Sequence, residues 1–452
     1  MLRIETWAAL VRGGRADDGI GQFAQSPPCA SPGWGLYLTR RRVLVAAPSF
    51  PHPAVHISFR RIVVSIAVCT SVIATGAATR ATRAIDNTLA RTPPMGWNSW
   101  NKFGCNVSDK LIREVADAMS ANGMRDAGYR YVTIDDCWQV ARGANGVIVA
   151  DSTRFPHGIK ALADYVHARG LGFGIYTDAG RTTCEGRPGS YGYEAIDAKT
   201  YASWGVDYVK IDWCNTEGLD ARTRYTIFRD ALAASGRAIV FSICEWGRNE
   251  PWTWAPAVGN LWRTTGDIAD RWSSVLSIVD LSSQYWHVAR PGGWNDPDML
   301  EVGNGGMTQT EYRAHFSLWA MMAAPLIAGN DVRTMMDTTR AAAGVREILL
   351  NAEVIAVDQD SLGVQGKIVQ SSPSELQVWV KPLTDGSRAV LLFNRASVPT
   401  TITAEWTRVG IKTKSARVRD LWTHVETPAV EQRYSATVPS HGVVMLRVWP
   451  VA

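Results

Sequence analysis

Between residues 92 and 330, short apolar runs alternate with longer stretches of helical periodicity, at roughly 30–40-residue spacing. The runs predict eight strands: Met95–Trp97, Tyr131–Asp135, Gly172–Thr177, Tyr208–Asp212, Ile239–Ile243, Leu261–Arg263, Gly292–Asn295 and Pro325–Ala328. Helices are predicted at Ser108–Ala127 (Ser108 as N-cap), Gly158–Ala168 and Thr310–Met322. Strand-then-helix alternation argues for parallel βαβ units, and eight strands with eight following helices is the count of an α/β, (β/α)8 TIM barrel over residues 91–360. A doubly wound open sheet is the competing arrangement, but no glycine-rich phosphate loop follows the first strand. The pattern changes after Asp358–Gly363. Runs such as Leu376–Lys381, Ala389–Asn394, Thr400–Thr403 and Val443–Val448 are split by turn residues at Asp385-Gly386 and Ser440-His441-Gly442. They predict an antiparallel β-sandwich over residues 361–452, with no carboxylate or histidine cluster and a packing role against the barrel.

The first 84 residues are of another kind. Residues 1–59 are rich in Pro, Gly and Arg without periodicity, which predicts a disordered extension or an over-extended start. Residues 60–84 have the order of a secretory signal: Arg60-Arg61, an apolar run from Ile62 to Ala74, then small residues through Ala78. That run is short for a membrane span, so no stable span is expected, and the protein is expected to be secreted or periplasmic. Residues 1–84 hold ten Arg against three acids. Their +7 exceeds the whole chain's +5, so the remainder carries −2 and no nucleic-acid footprint. Five cysteines remain beyond this segment, enough for two bridges and one free thiol in an exported protein. No C-x-x-C occurs and the histidines are scattered, so neither a metal nor a cofactor is expected.

The chemistry gathers where predicted strands end. In Tyr208–Cys214, side chains alternate faces, so Lys210 and Asp212 point together into the barrel mouth. An ammonium beside Asp212 would keep that carboxylate ionised. A structural ion pair is the alternative. Asp135-Asp136-Cys137-Trp138, Tyr176-Thr177-Asp178, Cys244-Glu245-Trp246, Arg263 through Asp267, and Asn295 through Met299 each follow a further predicted strand. Of the 19 tryptophans, 13 lie between Trp97 and Trp319, which gives this mouth indoles as well as acids. Acids that accept hydroxyl hydrogen bonds, with indoles that cover C–H faces, suit a neutral polyhydroxylated ring. Cutting a glycosidic bond needs two carboxyl groups in unlike environments. Asp212 is the natural nucleophile and Asp267 the natural acid/base, although Asp267 could instead cap a helix before Ala269-Asp270-Arg271.

Four longer motifs resemble the α-galactosidases of glycoside hydrolase family 27, within clan D of the retaining glycosidases. They are Thr92–Trp100, Ile134–Trp138, Arg154–Gly158 and Gly292–Leu300, joined by Lys210–Cys214 and Asp267. The resemblance runs from about residue 91 to the C-terminus. It implies a retaining double displacement in a (β/α)8 barrel, with Asp212 as nucleophile and Asp267 as acid/base. Asp135 and Asp136 would hold the 4- and 6-hydroxyls of galactose, Trp100 and Tyr176 would line the ring, and Lys210 would bind hydroxyls and support Asp212. Arg263 would sit about the 2-hydroxyl, and Trp246, Asp298 and Met299 would complete the site. Bridges Cys105–Cys137 and Cys184–Cys214 are implied, the second bordering the substrate, and Cys244 is left free. Glu245 would face a free 2-hydroxyl where relatives acting on N-acetylgalactosamine need a small residue.

These readings predict an exo-acting hydrolase of α-galactoside oligosaccharides or polysaccharides. A β-L-arabinopyranosidase or α-N-acetylgalactosaminidase is the alternative within the family. A non-catalytic sugar-binding barrel is the alternative outside it, and the pair Asp212 and Asp267 argues against that.

Overall fold

The computed structural model describes residues 88–372 and 375–451. The expected extension, the signal-like segment, and Cys29 and Cys69 lie outside them. Eight parallel strands form one curled sheet: β1 (Met95–Asn98), β2 (Tyr131–Thr133), β3 (Gly172–Asp178), β4 (Tyr208–Asp212), β5 (Val240–Cys244), β6 (Leu261–Arg263), β7 (Trp294–Asp296) and β8 (Leu326–Ala328). The order is β8-β1-β2-β3-β4-β5-β6-β7. The last seam is closed by a single parallel bridge between Leu300 and Ala328. This is the expected (β/α)8 barrel.

Strand alternation decides which side chains reach the mouth. On β4, Val209 and Ile211 are buried in the layer between sheet and helices, whereas Tyr208 packs inside the barrel with Val240, Leu261 and Trp294. Lys210 and Asp212 share the face of Tyr208, one and two steps nearer the mouth. The register sets Tyr176, Lys210 and Ser242 side by side, and above them Asp178, Asp212 and Cys244. Adjacent strands pack closely enough that a side chain at Gly174 would meet Thr133 Oγ1 at 2.1 Å.

The helices are α1 (Asp109–Ala121), α2 (Gly158–His167), α3 (Glu194–Trp204), α4 (Ala221–Ala234), α5 (Trp272–Ser282), α6 (Gln309–Met322), α7 (Arg340–Leu349) and α8 (Ala352–Asp358). Ser108 caps α1 through a bond from Leu111 N at 3.2 Å, as expected. The helix stops short of Ala127, because Asn122 and left-handed Gly123 (φ +91°) end it before a separate turn at Met124–Ala127. The expectation of a helix after every strand fails once. After β5 there are only two short 3₁₀ turns, Pro251–Thr253 and Ala255–Ala257, since prolines 251 and 256 leave no uninterrupted stretch for an α-helix.

Beyond the barrel, six strands pair as β9 (Lys367–Ser372), β10 (Leu376–Pro382), β11 (Arg388–Asn394), β16 (Val443–Val451), β13 (Ser415–Asp420) and β14 (Glu426–Glu431). A two-stranded sheet, β12 (Thr400–Glu405) with β15 (Arg433–Val438), covers one face, and Val390, Leu392, Ile402 and Trp406 fill the space between. The other face presents Trp379, Leu391, Phe393 and Met445 to the barrel's own core. Helix α6 is the shared layer. Its N-terminus carries a capping box between Thr308 and Glu311, and its sides accept bonds from Trp422 Nε1 to Ser317 Oγ (3.0 Å) and from Lys381 Nζ to Ala320 O (3.1 Å). The sandwich therefore buries α6 and holds the barrel wall.

Candidate active site

The strand ends meet at a recess of about 410 Å³. From β1 come Trp100 and Asn101, in the turn after Asn98. Asn98 donates Nδ2 to Asp135 Oδ2 at 2.7 Å and accepts Trp100 N at 2.8 Å, so one amide fixes a carboxylate and an indole together. After β2, Asp135 and Asp136 are both buried. Asp136 Oδ1 accepts Cys137 N at 2.6 Å and Oδ2 accepts Glu185 N at 3.2 Å, yet burial raises its carboxyl above the ordinary range.

Lys210 makes its hydrogen bond to an acid other than Asp212. Its ammonium donates to Asp135 Oδ2 at 2.9 Å; Asp135 is buried and Lys210 partly so. Asp212 is held instead by Tyr176 OH (3.1 Å to Oδ2) and its neighbour Trp213 N (3.0 Å to Oδ1). Burial pushes Asp212 up to about 6, with the Lys210 charge pulling against it. Lys210 supports Asp212 through its charge, without a bond.

Arg263 on β6 is buried and shared by two acids, Asp267 Oδ1 at 3.0 Å and Asp298 Oδ2 at 3.1 Å. Asp298 also accepts Ile268 N at 2.8 Å, tying the loop after β6 to that after β7. Asp267 is the outermost of these acids, its side chain 64% exposed. Burial by the recess wall would raise it, but the charges of Arg263 and Lys210 outweigh that and hold it below the usual carboxylate range. It caps no helix: α5 begins at Trp272, with Arg271 at the N-cap position.

Of the fourteen predicted site residues, twelve line the recess: Trp100, Asp135, Asp136, Tyr176, Cys184, Lys210, Asp212, Trp246, Arg263, Asp267, Asp298 and Met299. Two do not. Cys214 is bridged to Cys184 but turns its side of the bridge to the adjoining cleft. Glu245 is fully buried behind the wall, where its Oε2 accepts Asn249 N at 2.6 Å and Asn249 Nδ2 at 2.8 Å. The expectation that Glu245 meets the 2-hydroxyl is therefore corrected. It follows Cys244, which stands beside Asp212 in the register, so strand alternation turns the Glu245 carboxylate to the opposite face.

Asn101 was missed. It lines the recess and donates to buried Glu301 at 2.7 Å; its position next to Trp100, just past the first strand, was the available signal. Cys105 bridges Cys137, and Cys244 is free and buried, as expected. Asp178, Cys184, Asp212 and Cys214 bring four donor atoms close together, but the two sulfurs are bonded to each other, so the group offers a metal only two carboxylates.

Residues 92–360 match the family model described as alpha galactosidase A, and residues 373–448 match that of the alpha galactosidase C-terminal beta sandwich domain. The chain belongs to the α-galactosidase family. An α-galactosidase from Cyamopsis tetragonoloba is 52% identical over 368 residues, covering 81% of this chain and 88% of that protein. Alpha-galactosidase A from Cellvibrio japonicus is 50% identical, covering 80% and 93%. The crystal structure of α-galactosidase I from Mortierella vinacea superposes with a TM-score of 0.78 at 40% identity, covering 81% of this chain and 99% of that one. Among the described residues of this α-galactosidase-family chain, no helix is long and apolar enough to cross a membrane.

Proposed function

We propose that the protein is a retaining exo-α-galactosidase that removes terminal α-linked D-galactose through a covalent galactosyl-enzyme intermediate. One observation carries the reading: Asp212, buried and doubly hydrogen-bonded, and Asp267, exposed at the rim, open onto the same recess. A nucleophile belongs at the closed end, where the sugar's reacting carbon is delivered to it. An acid/base belongs where the leaving group departs and water arrives.

In the first step Asp212 attacks the anomeric carbon while Asp267 gives its proton to the leaving oxygen. A galactosyl ester forms on Asp212 and the glycosidic bond breaks. In the second step Asp267 takes a proton from water, which displaces Asp212 and releases galactose with its original anomeric configuration. The roles call for Asp212 ionised and Asp267 protonated, the reverse of their order in the unliganded protein. One change favours the working order: a bound ring displaces water from the exposed Asp267, which favours its neutral form. Once Asp212 is esterified its charge is gone, Asp267 becomes the stronger acid, and it leaves the first step ionised and ready to act as base.

The remaining lining supports a galactose-shaped guest. Asp135 and Asp136, fixed by Lys210, Asn98 and backbone amides, would accept the 4- and 6-hydroxyls. Trp100 and Tyr176 would cover the ring, and Arg263, Asp298 and Met299 would close the side near Asp267. The Cys184–Cys214 bridge would form the wall beside the nucleophile. The two bridges and the signal-like residues 60–84 support an exported enzyme. Hydrolysis of p-nitrophenyl α-D-galactopyranoside, beside the β-L-arabinopyranoside and the α-N-acetylgalactosaminide, tests the reading. The galactoside is expected to be the fastest by a wide margin, and no release from any of the three would leave only a sugar-binding barrel.

A further inference from the structure

Asp267 rides on the loop after β6, residues 264–271, which is fixed at its two ends. Thr264 N donates to Asp296 O at 2.9 Å, and α5 takes over at Trp272. In between, a side chain at Gly266 would meet nothing within 4 Å, so nothing packs on that side of the loop. Its place is set by hydrogen bonds from one neighbour, the loop after β7. Asp298 takes Ile268 N from the recess side. On the far side, half-buried Asp270 is gripped by Gly306 N and by Tyr312 OH, which lies 2.8 Å from Oδ1 and 3.0 Å from Oδ2. The fit is close, since a side chain at Gly306 would meet Asp270 O at 2.0 Å. The grip is rooted in α6. Tyr312 is buried in the first turn of that helix, and its hydroxyl oxygen also accepts Gly305 N at 2.6 Å. Burial, with the bond to Asp270, raises this phenol above its ordinary value, so it keeps its proton and remains a donor. One turn on, His315 Nε2 accepts Glu301 N at 3.1 Å, and burial lowers this imidazole to about 3, so it stays neutral and able to accept. The loop that carries Asp267 is thus braced, through the loop after β7, to the layer that the sandwich buries.

We propose that Asp270 and Tyr312 are positioning residues for the acid/base: their bond holds the loop so that Asp267 lies at the leaving oxygen in the first step and at the incoming water in the second. The inference rests on the retaining α-galactosidase reading of the recess. Neither residue lines that recess, so each acts through Asp267 and not on the sugar. The Arg263 bond to Asp267 Oδ1 at 3.0 Å does not fix the carboxyl by itself, because the side chain is mostly exposed and must serve two partners in turn. The backbone beneath it has to stay in place while those partners exchange. Misplacing a reacting group by about 1 Å can cost about 10²-fold in rate.

The test compares methyl α-D-galactopyranoside, whose leaving oxygen must be protonated, with α-galactosyl fluoride, whose leaving group departs without an acid. Tyr312→Phe keeps the buried ring and Asp270→Asn keeps the shape of the carboxyl, and release of fluoride by each variant shows that it has folded. In both, the ratio of kcat/KM for the methyl galactoside to that for the fluoride is expected to fall about tenfold, part of the roughly 10²–10⁴ that a positioned acid contributes. A merely structural role would move the two substrates alike, because a loosened fold misplaces Asp212 as much as Asp267. A ratio within twofold of the unmodified enzyme in both variants, whether the two rates fall together or not at all, would overturn the inference while leaving the α-galactosidase reading intact. An unmodified enzyme inert on both galactosides would sink the reading itself, and the positioning role with it.

Discussion

Lys210 reaches across from β4 to Asp135 at 2.9 Å and leaves Asp212, two residues along its own strand, to Tyr176 and Trp213. The ammonium thus neutralises the acid proposed to hold sugar hydroxyls and acts on the proposed nucleophile only through space. Lys210→Met strands the Asp135 charge in a buried site with only the neutral donors Asn98 Nδ2 and Asp136 N left to it. Breaking a buried pair in this way costs about 3 kcal/mol. Chemical denaturation should register that loss, and KM for the galactoside should rise. In Lys210→Met/Asp135→Asn the stability loss should be smaller than in the single variant. An additive pair of losses would show that the two residues do not act together.

The order of the two carboxyl groups sets the pH dependence. The working state needs Asp212 ionised and Asp267 protonated. Below the depressed value of Asp267 both are protonated and the nucleophile is lost; above about 6 both are ionised and the acid is lost. The profile of kcat/KM should therefore be bell-shaped with an acidic optimum and an alkaline limb near pH 6. Asp267→Asn should invert that limb on a substrate that needs no acid, such as galactosyl fluoride. With only Asp212 left to titrate, and one repelling charge removed, activity should rise with pH through a value at or below about 6. An alkaline limb that persists in Asp267→Asn would assign it to another group.

Much of this site was legible in the chain. The eight barrel strands declare themselves by apolar runs, because a parallel sheet buries both faces of each strand, and the acids at their ends are conspicuous for standing beside such runs. Asp212 and Asp267 could be paired across 55 residues because barrel topology brings every strand end to one mouth. Two things were not legible. Whether Lys210 bonds Asp212 or Asp135 depends on cross-strand distances, and strand alternation gives only the face. The burial of Glu245 depends on how far strand alternation continues past Cys244, just before the left-handed backbone at Trp246, a non-glycine position with no signature. Loss of the helix after β5 was signalled by prolines 251 and 256, but the expectation of eight repeats overrode them.

The position of Glu245 changes what its replacement should do. Gln can still accept both bonds from Asn249, so Glu245→Gln should keep the ratio of galactoside to N-acetylgalactosaminide hydrolysis within about threefold, since the side chain does not face the recess. Parallel assays of the two p-nitrophenyl glycosides read this ratio. A large shift toward the N-acetyl substrate would mean that Glu245 faces the sugar after all.

Asp178, beside Asp212 in the sheet, ties β3 to the chain just past Asp212. Its two oxygens accept Gly180 N at 2.6 Å and Cys214 N at 2.8 Å. Asn can accept only one of these, and its amide hydrogens would confront the other N–H. Asp178→Asn should therefore cost about 1–3 kcal/mol in stability and lower kcat more than it raises KM. Denaturation and steady-state kinetics on the same preparation check both. An unchanged kcat would confine Asp178 to a structural role.

The most direct measurement is to trap the intermediate with a slow galactosyl donor, digest the protein and locate the sugar by mass spectrometry. The account predicts a galactosyl ester on the peptide that contains Asp212, absent in Asp212→Ala. An adduct on Asp267, or turnover with β-galactose as the first product and no adduct on any peptide, would contradict it.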